Sequence, residues 1–561
     1  MKVSELEYRR VTIEALQDAV TSIVGQIEAA ESVEDVLAAR KAYNDLMVEY
    51  GTMTALSYMR YTINTVDEFY LQEKDYYDEI GPEAANLDLM YNTAFMNSKF
   101  RSELEGKLNP LLFRSIENSM KSMSPEIVED MVEENKLVSE YSALMAGMEF
   151  EFRGEKMSRA ELMGYSEDDD RETRKECYET LGNTLMAHSE QLDRIFDDLV
   201  HVRDRMAKKM GYENFVELGY YRMNRISYNN ELVAAFRENV KNNLVPVVAK
   251  LRNRVADDLG LDRVMLYDLG VIVPGGDPKP GDKDSIFAAA KEMYHDMSPV
   301  TSGFIDMMME NEAFDVEGRK NKWGGGYCTV FSKYRQPFIL ANFNGSNDDV
   351  DTMTHEVGHA LNDYLTLDNE YIVELGCGGM ETAETHSMGM EFFCWPYMEK
   401  FYGEKASAYR YRHAVDSMSF IPYGTMVDAF QHIVYANPDM TPAQRNEAWL
   451  QLEKDYRPFL SMEGMPYLEK GTRWQYQMHI YETPFYYIDY CLAQTAAFQF
   501  LLASVENYDD AFAKYMKLSK QGGEKEWPEL LKEAGFLSPF EEGALAEIAE
   551  KMEQLVMKIK V

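Results

Sequence analysis

Apolar residues recur at helical spacing along most of the chain, and this pattern predicts a mainly helical protein. Residues 1 to about 250 show successive segments in which apolar and charged positions fall on opposite faces of a helix. The segment from Arg171 to Gly211 follows three aspartates and reads as one long helical pattern, since acidic residues suit the start of a helix. Helical patterns resume at about residue 349 and continue to the C-terminus, with capping boxes at Thr441–Gln444 and Ser538–Glu541.

Two stretches interrupt the helical pattern. Residues 258–284 are rich in glycine and proline and predict a loop or a short hairpin. Residues 323–345, WGGGYCTVFSKYRQPFILANFNG, are rich in aromatic and β-branched residues between glycines, which is typical of strands. We therefore expect a small sheet just before the helices that resume at residue 349.

The chain is strongly acidic. It has 57 lysines and arginines against 96 aspartates and glutamates, a net charge of −39 at pH 7. Such a surface repels phosphate groups, so neither nucleic acid nor an anionic membrane surface is expected as a partner. The simplest interpretation of the charge is solubility. The alternative is an acidic cleft that attracts cationic substrates.

Three features of the sequence bear on its cellular compartment and on membrane association: the N-terminus, the apolar runs and the cysteines. The N-terminal MKVSELEYRRVTIEALQDAV lacks the apolar core of a signal peptide, and no run of about 18 apolar residues predicts a membrane span. The five cysteines include no CxxC pair, which fits reduced thiols better than a disulfide framework. We expect a cytoplasmic protein.

The segment DDVDTMTHEVGHALNDYL carries the strongest chemical signal. His355 and His359 are four residues apart, so on a helix they lie on one face and can reach a single ion. Glu356 is offset by about 100° around a helix and points beside that ion, as the base does in an H-E-x-x-H zinc motif. The alternative is an ordinary helix with two unrelated histidines, and the helix-compatible flanks favour the metal.

A catalytic zinc needs a third protein ligand and an open position. The pattern with a third histidine six residues after the second is absent, because position 365 is Leu. A downstream carboxylate is the natural choice, and GGMETAETHSMGMEFFCWPYMEKF offers Glu381, Glu384 and Glu391 on one predicted helix. Spacing alone does not choose among them.

Several segments together resemble the oligoendopeptidase F family of thimet-oligopeptidase-like zinc metallopeptidases. They are FNGSNDDVDTMTHEVGHALN, ETHSMGMEFF, EFRGEKMSRAELMGYSEDDDRETRKECYETL and HIYETPFYYIDYCLA. The likeness extends from about residue 110 to the C-terminus. It implies one zinc ion per chain, with Glu384 as the third ligand beside His355 and His359.

The resemblance also implies roles for neighbouring residues. Glu391 is expected to support the site, by a hydrogen bond to a ligand histidine, or else to be a carboxylate on the helix face. Glu381 is expected to be solvated, and His386 to be packed or hydrogen-bonded locally. The candidates for stabilising the oxyanion are His479 with the tyrosines of the same segment, which would otherwise read as an aromatic core stripe: Tyr486, Tyr487 and Tyr490.

Two glycine-containing segments are candidate substrate contacts, because glycine permits close backbone approach and an exposed strand edge can pair with an extended peptide. The alternative is a plain turn and a buried strand. The first segment is Gly324, Gly325, Gly326 and Tyr327. The resemblance implies that the second segment lies along the substrate cleft, and its residues are Ala341, Asn342, Phe343, Asn344 and Gly345.

The fold that the resemblance implies is a mainly α helical clamshell with a deep substrate channel and a small β-sheet beside the zinc. We divide it into an N-terminal helical region, 1–190, and a catalytic zinc peptidase region, 191–561, interleaved in one clamshell. The expected activity is endopeptidase cleavage of short peptides, with Glu356 as general base for a zinc-activated water. A zinc exopeptidase and a non-catalytic binding protein are the alternatives.

Overall fold

The structure is a computed structural model that describes residues 1–367, 372–376 and 378–561. Cys377, whose thiol state was part of the sequence interpretation, lies outside the described residues. The helices are α1 (Ile13–Ala29), α2 (Val33–Ile63), α3 (Glu68–Met96), α4 (Arg101–Glu105), α5 (Pro110–Ser122), α6 (Val128–Gly147), α7 (Arg159–Met163), α8 (Arg171–Ala187), α9 (Ser189–Lys209), α10 (Phe215–Arg222), α11 (Asn230–Asn239), α12 (Val245–Asp258), α13 (Lys283–Met297), α14 (Pro299–Glu310), α15 (Asp348–Thr366), α16 (Met380–Phe393), α17 (Glu399–Tyr402), α18 (Ala406–Ala436), α19 (Pro442–Tyr456), α20 (Met478–Glu482), α21 (Tyr487–Glu506), α22 (Tyr508–Gln521), α23 (Trp527–Ala534) and α24 (Ala544–Val556).

The strands form three small sheets. They are β1 (Phe150–Phe152), β2 (Glu155–Met157), β3 (Val264–Met265), β4 (Phe314–Glu317), β5 (Tyr327–Phe331), β6 (Gln336–Phe343) and β7 (Leu460–Ser461). β1 and β2 are an antiparallel pair, and β3 and β7 a parallel pair. In the third sheet β6 is central, parallel to β4 and antiparallel to β5, so the predicted strand region 323–345 is confirmed.

Local capping accounts for some helix boundaries and not for others. The capping box at Thr441 is confirmed, since the Gln444 amide donates to Thr441 Oγ1 at 3.3 Å where α19 begins. The box predicted at Ser538 is wrong as a helix start: the segment turns there, and α24 begins only after Gly543, whose φ is +80°. The predicted long helix before Gly211 is two helices, α8 and α9, which meet at His188.

Two hydrophobic cores hold the helices together. The smaller core is built from α1 to α5 together with Leu375, and the larger one takes in most of the remaining elements. Nothing in this division tests the predicted boundary at residue 190, which stays a prediction. Of the described helices, α21 is long and apolar enough to cross a membrane, but 72% of its apolar window is buried inside the protein.

The contact between α15 and α16 sets the geometry of the molecule's centre. Gly358 lies where the helices cross, and a Cβ built there would be 2.7 Å from Ser387 Cα and 2.9 Å from the His386 carbonyl oxygen. Only a residue without a side chain permits this approach. β5 and β6 also pack against α15. The prediction of a mainly helical fold with a small sheet beside the motif helix is confirmed.

Glu381 corrects one expectation. It was expected to be solvated, but it is only 7% exposed at the start of α16. Burial, together with the negative charge of Asp489, raises the pKa of Glu381 to about 8. The sequence pattern missed this burial because residues distant in the chain surround Glu381, among them Ser227 and Trp527. Asp489 of helix α21 is also near enough for its charge to act on this carboxyl group.

Replacing Gly358 by alanine tests the helix crossing. The new methyl group would meet backbone atoms of α16, so we expect Gly358→Ala to destabilise the protein by about 1–3 kcal/mol, as overpacking does. Thermal and denaturant unfolding measure this. Gly303→Ala is the matched control, because its added Cβ meets nothing within 4 Å in α14. Equal stability of the two variants would contradict the close-contact interpretation.

Candidate metal centre

Three side chains from two helices converge where α15 packs against α16. His355 and His359 lie one turn apart on α15, and Glu384 comes from α16. Glu384 Oε2 is 3.3 Å from Nε2 of His355 and 3.3 Å from Nε2 of His359. The candidate ligand atoms of all three residues lie within 4.8 Å of one another. Two imidazole nitrogens and one carboxylate oxygen are a donor set that suits a catalytic zinc ion.

The charges of the three side chains are strongly interdependent. Burial disfavours the charged form of His355, but Glu384 and Glu391 overcome this effect and raise its pKa well above the ordinary value. Burial likewise opposes the ionisation of Glu384, and the two histidines outweigh it and hold its pKa well below the usual range. The carboxylate is therefore ionised and available to a cation, which would displace the histidine protons on binding.

Glu356 lies beside this cluster as a buried carboxyl group. It is 8% exposed, and its Oε2 has no hydrogen-bond partner in the part of the chain that the structure describes. Burial raises its pKa, partly offset by His355 and His359. A Cβ added at Gly326 would be 4.0 Å from Glu356 Oε1, so the glycine segment approaches this carboxyl group. An unpaired buried carboxylate is costly, and such groups concentrate at functional sites.

Glu391 and His413, which are not among the three candidate metal ligands, support His355. Glu391 Oε1 lies 2.7 Å from His355 Nδ1, which is the contact expected of a supporting carboxylate. Its other oxygen accepts from His413 Nε2 at 2.8 Å. The sequence interpretation missed His413, because an isolated histidine on α18 has no spacing relation to the motif.

The segment His479–Tyr490 faces the same centre, with its tyrosines in different positions. Tyr486 donates its hydroxyl proton to Glu384 Oε1 at 2.5 Å, and Tyr490 O lies 3.5 Å from His479 Nε2. Burial and the charges of Glu384 and Glu356 raise the pKa of Tyr490 well above its usual value, so its hydroxyl stays protonated. The ring of Tyr487 instead packs against Phe420 and Tyr423.

His479 is held by a residue that the sequence interpretation did not single out. Gln477 Nε2 lies 3.1 Å from His479 Nδ1, and Gln477 Oε1 accepts from Tyr423 at 2.6 Å. Burial lowers the pKa of His479 to about 4, so the imidazole is neutral at pH 7. A neutral ring that accepts at Nδ1 carries its proton on Nε2, toward Tyr490.

Two of the candidate substrate-contact residues, Ala341 and Asn342, make hydrogen bonds within the protein. Asn342 Nδ2 donates to the carbonyl oxygens of Trp323 and Gly325, at 2.9 and 2.8 Å, and so ties the glycine segment Gly324–Gly326 to β6. Ala341 is buried, and its carbonyl oxygen accepts from Lys322 Nζ at 2.5 Å. These contacts give the segment a fixed shape beside Glu356.

The remaining candidate substrate-contact residues also bond or pack within the protein. The Tyr327 hydroxyl lies 2.6 Å from Thr62 Oγ1, and β5, which begins at Tyr327, is an edge strand of its sheet. The amides of Asn344 and Gly345 donate to the Asp349 carboxylate, at 2.9 and 2.8 Å. Phe343 is partly buried against Phe287. Substrate contact by any of these residues stays a prediction.

Comparison with known proteins identifies the family. The family model described as the peptidase M3 N-terminal domain matches residues 3–123, and that described as peptidase family M3 matches residues 164–271 and 282–550. Oligopeptidase PepF of Bacillus subtilis (strain 168) is 22% identical over 95% of this chain and 82% of its own length.

Solved structures show the same relationship at higher identity. A structure of PZ peptidase A with an inhibitor is 43% identical, with a TM-score of 0.97 and full coverage of both chains. An oligoendopeptidase F from Bacillus anthracis str. Ames is 38% identical, with a TM-score of 0.91 over 99% of this chain and 98% of that one. The expected resemblance is confirmed. The chain therefore belongs to peptidase family M3, and it is a peptidase of the oligoendopeptidase F type.

Proposed function

We propose that this peptidase is a zinc-dependent endopeptidase that hydrolyses internal bonds of short oligopeptides. The observation that carries the proposal is the convergence of two imidazoles and a carboxylate beside a buried, unpaired glutamate. That combination suits catalysis rather than a purely structural ion, because a structural site has no use for Glu356.

His355, His359 and Glu384 would hold the zinc ion, which supplies Lewis acidity and makes water a stronger acid when it is bound. Tyr486 donates a hydrogen bond to Oε1 of Glu384, the oxygen that does not face the two histidines, and so orients this carboxylate. The other contributions to the reaction come from the side chains around the ligands.

Glu356 is the general base of the proposed reaction. Its raised pKa and its unpaired Oε2 suit a group that takes a proton from the attacking water and then delivers it to the leaving amine. A carboxylate already satisfied by fixed donors would be a weaker base, which is why the lack of a partner supports this role.

His479 and Tyr490 stabilise the negative charge that develops on the carbonyl oxygen of the substrate. The proton of His479 is on Nε2, and the Tyr490 hydroxyl is protonated, so both can donate toward one acceptor. Donors held in place before the reaction act strongly in a site that excludes water. Tyr487 packs among aromatic rings, which favours a supporting role over direct contact.

The substrate in this proposal lies as an extended peptide along the glycine segment and the edge strand β5. The fixed glycines beside Glu356 permit the backbone of a peptide to come close, and an edge strand offers unpaired amide and carbonyl groups. The names of the similar proteins, oligopeptidase and oligoendopeptidase, favour short peptides and internal bonds. A cytoplasmic location is also proposed, which fits the buried thiols Cys177, Cys394 and Cys491.

Substituting the base and a ligand should separate chemistry from metal binding. Glu356→Gln should retain zinc and lower kcat by roughly 10²–10⁴-fold, because the general base is lost. His359→Ala should lose both zinc and activity, because one ligand is removed. Zinc content measured by elemental analysis, together with peptide cleavage, checks both variants. Near-normal turnover in Glu356→Gln would refute the assignment of the base.

The two neighbouring tyrosines form a matched pair for the oxyanion contact. Tyr490→Phe should lower kcat by about 10²-fold with little change in KM, because it removes one donor that acts in the transition state. Tyr487→Phe should change kcat by less than about threefold, since its ring packing is kept. Steady-state kinetics on one peptide compares them. The reverse order of effects would assign the contact to Tyr487.

A panel of internally quenched peptides tests the type of cleavage. Peptides of graded length with both ends blocked should be cut as fast as those with free ends, and a chelator should abolish the cleavage. Readdition of zinc should restore it. A requirement for a free amino or carboxyl terminus would instead show an exopeptidase, and chelator-resistant cleavage would exclude the metal mechanism.

A further inference from the structure

A buried hydrogen-bonded chain leads from Trp395, just after the end of α16, to the first histidine of the proposed metal centre. Trp395 Nε1 lies 2.8 Å from His413 Nδ1, and His413 Nε2 lies 2.8 Å from Glu391 Oε2. Glu391 Oε1 lies 2.7 Å from His355 Nδ1. The side chains of Glu391 and His413 are 11% and 5% exposed, so water does not substitute readily for these bonds.

The direction of every bond in this chain follows from its first member. An indole N–H can only donate, so Nδ1 of His413 must accept and its proton must lie on Nε2. That proton is then donated to Glu391, whose two carboxylate oxygens face one histidine each. His355 therefore donates from Nδ1, so Nε2 is the ring nitrogen that faces Glu384 and His359 and that can bind a metal ion once its proton is displaced.

We propose that Trp395 and His413 are positioning residues that fix the tautomer and orientation of His355 through Glu391, and thereby raise the affinity of the site for zinc. The inference deepens the proposed function and rests on it. Removing a residue that hydrogen-bonds to a metal-binding histidine typically changes metal affinity by about 10–100-fold.

The packing around the chain holds its rings in place. The His413 ring lies between Phe392 at 5.0 Å and Tyr409 at 5.6 Å, measured between ring centres. Arg410 donates to the carbonyl oxygen of Trp395 at 2.7 and 2.9 Å, which anchors the turn that carries the indole. This packing fixes the orientation of the His413 ring. The position of the ring proton is then set by the indole N–H of Trp395, which requires Nδ1 to accept.

Losing the indole N–H would have a specific consequence. Without it, the proton of His413 can move to Nδ1, and the lone pair of Nε2 would then face the Glu391 carboxylate. Two acceptors facing each other repel, and Glu391 would lose one of its two donors. The carboxylate would hold His355 less firmly, although no ligand has been changed.

The test measures zinc affinity by competition with a chromophoric chelator on the full-length protein. Trp395→Phe should weaken zinc binding by about 3–10-fold and His413→Phe by about 10–100-fold. The matched control is Trp449→Phe, which removes another buried indole N–H, donated to Glu453 at 3.0 Å. Its zinc affinity should stay within about twofold of the parent, although both tryptophan variants lose a buried hydrogen bond.

A double variant separates this role from a merely structural one. If the indole acts through His413, Trp395→Phe should have no further effect on zinc affinity in a His413→Phe background. Additive losses would overturn the proposal, as would a zinc affinity of Trp395→Phe equal to that of Trp449→Phe. Unfolding of the zinc-free variants is measured alongside, and a shared loss of stability there is expected for both tryptophan variants.

His413→Gln keeps the experiment decisive if the phenylalanine variants do not fold. Glutamine can supply an N–H donor near the position of Nε2, so this variant should bind zinc within about threefold of the parent. A loss as large as that expected for His413→Phe would overturn the proposal. Failure of the proposed function looks different, since the parent protein itself would then neither bind zinc nor cleave peptides.

Discussion

The close crossing of α15 and α16 is the constraint on which the rest of the centre depends. Two imidazoles one helical turn apart can share an ion only if a carboxylate reaches them from a second helix, and Glu384 does so because Gly358 lets the backbones approach. A side chain at this crossing would collide with the backbone of α16 and push the two helices apart. Interior packing is dense enough that such a separation would not be absorbed locally.

Burying several carboxylates in one small volume is costly, and the surrounding donors show how the protein offsets this cost. Glu384 accepts from Tyr486, and Glu391 accepts from His355 and His413. Glu356 alone among the three keeps an oxygen without a partner in the described part of the chain. The same volume thus contains two carboxylates that are fixed by hydrogen bonds and one that is left reactive, a contrast set by environment.

The parts of the site that could be predicted from the sequence are those governed by local geometry. The spacing of His355, Glu356 and His359 is a property of a single helix, and the resemblance supplied the choice of Glu384 that spacing left open. Glu381 was misjudged because its burial comes from elements distant in the chain. His413 was missed for the same reason, because its contact with Glu391 is set by packing and not by spacing. Gln477 lies only two residues before His479, but the side chain that fixes its orientation, Tyr423, comes from α18.

Apolar periodicity and i, i+4 spacing act over a few residues, so the amino-acid order was enough to predict the mainly helical fold, the strand region before the motif and the helical register of the motif. The packing of distant helices sets which tyrosine hydroxyl meets Glu384, which histidine supports Glu391 and which glutamate keeps an oxygen without a partner in the described part of the chain. These contacts join residues up to 102 positions apart, and they depend on how whole helices cross.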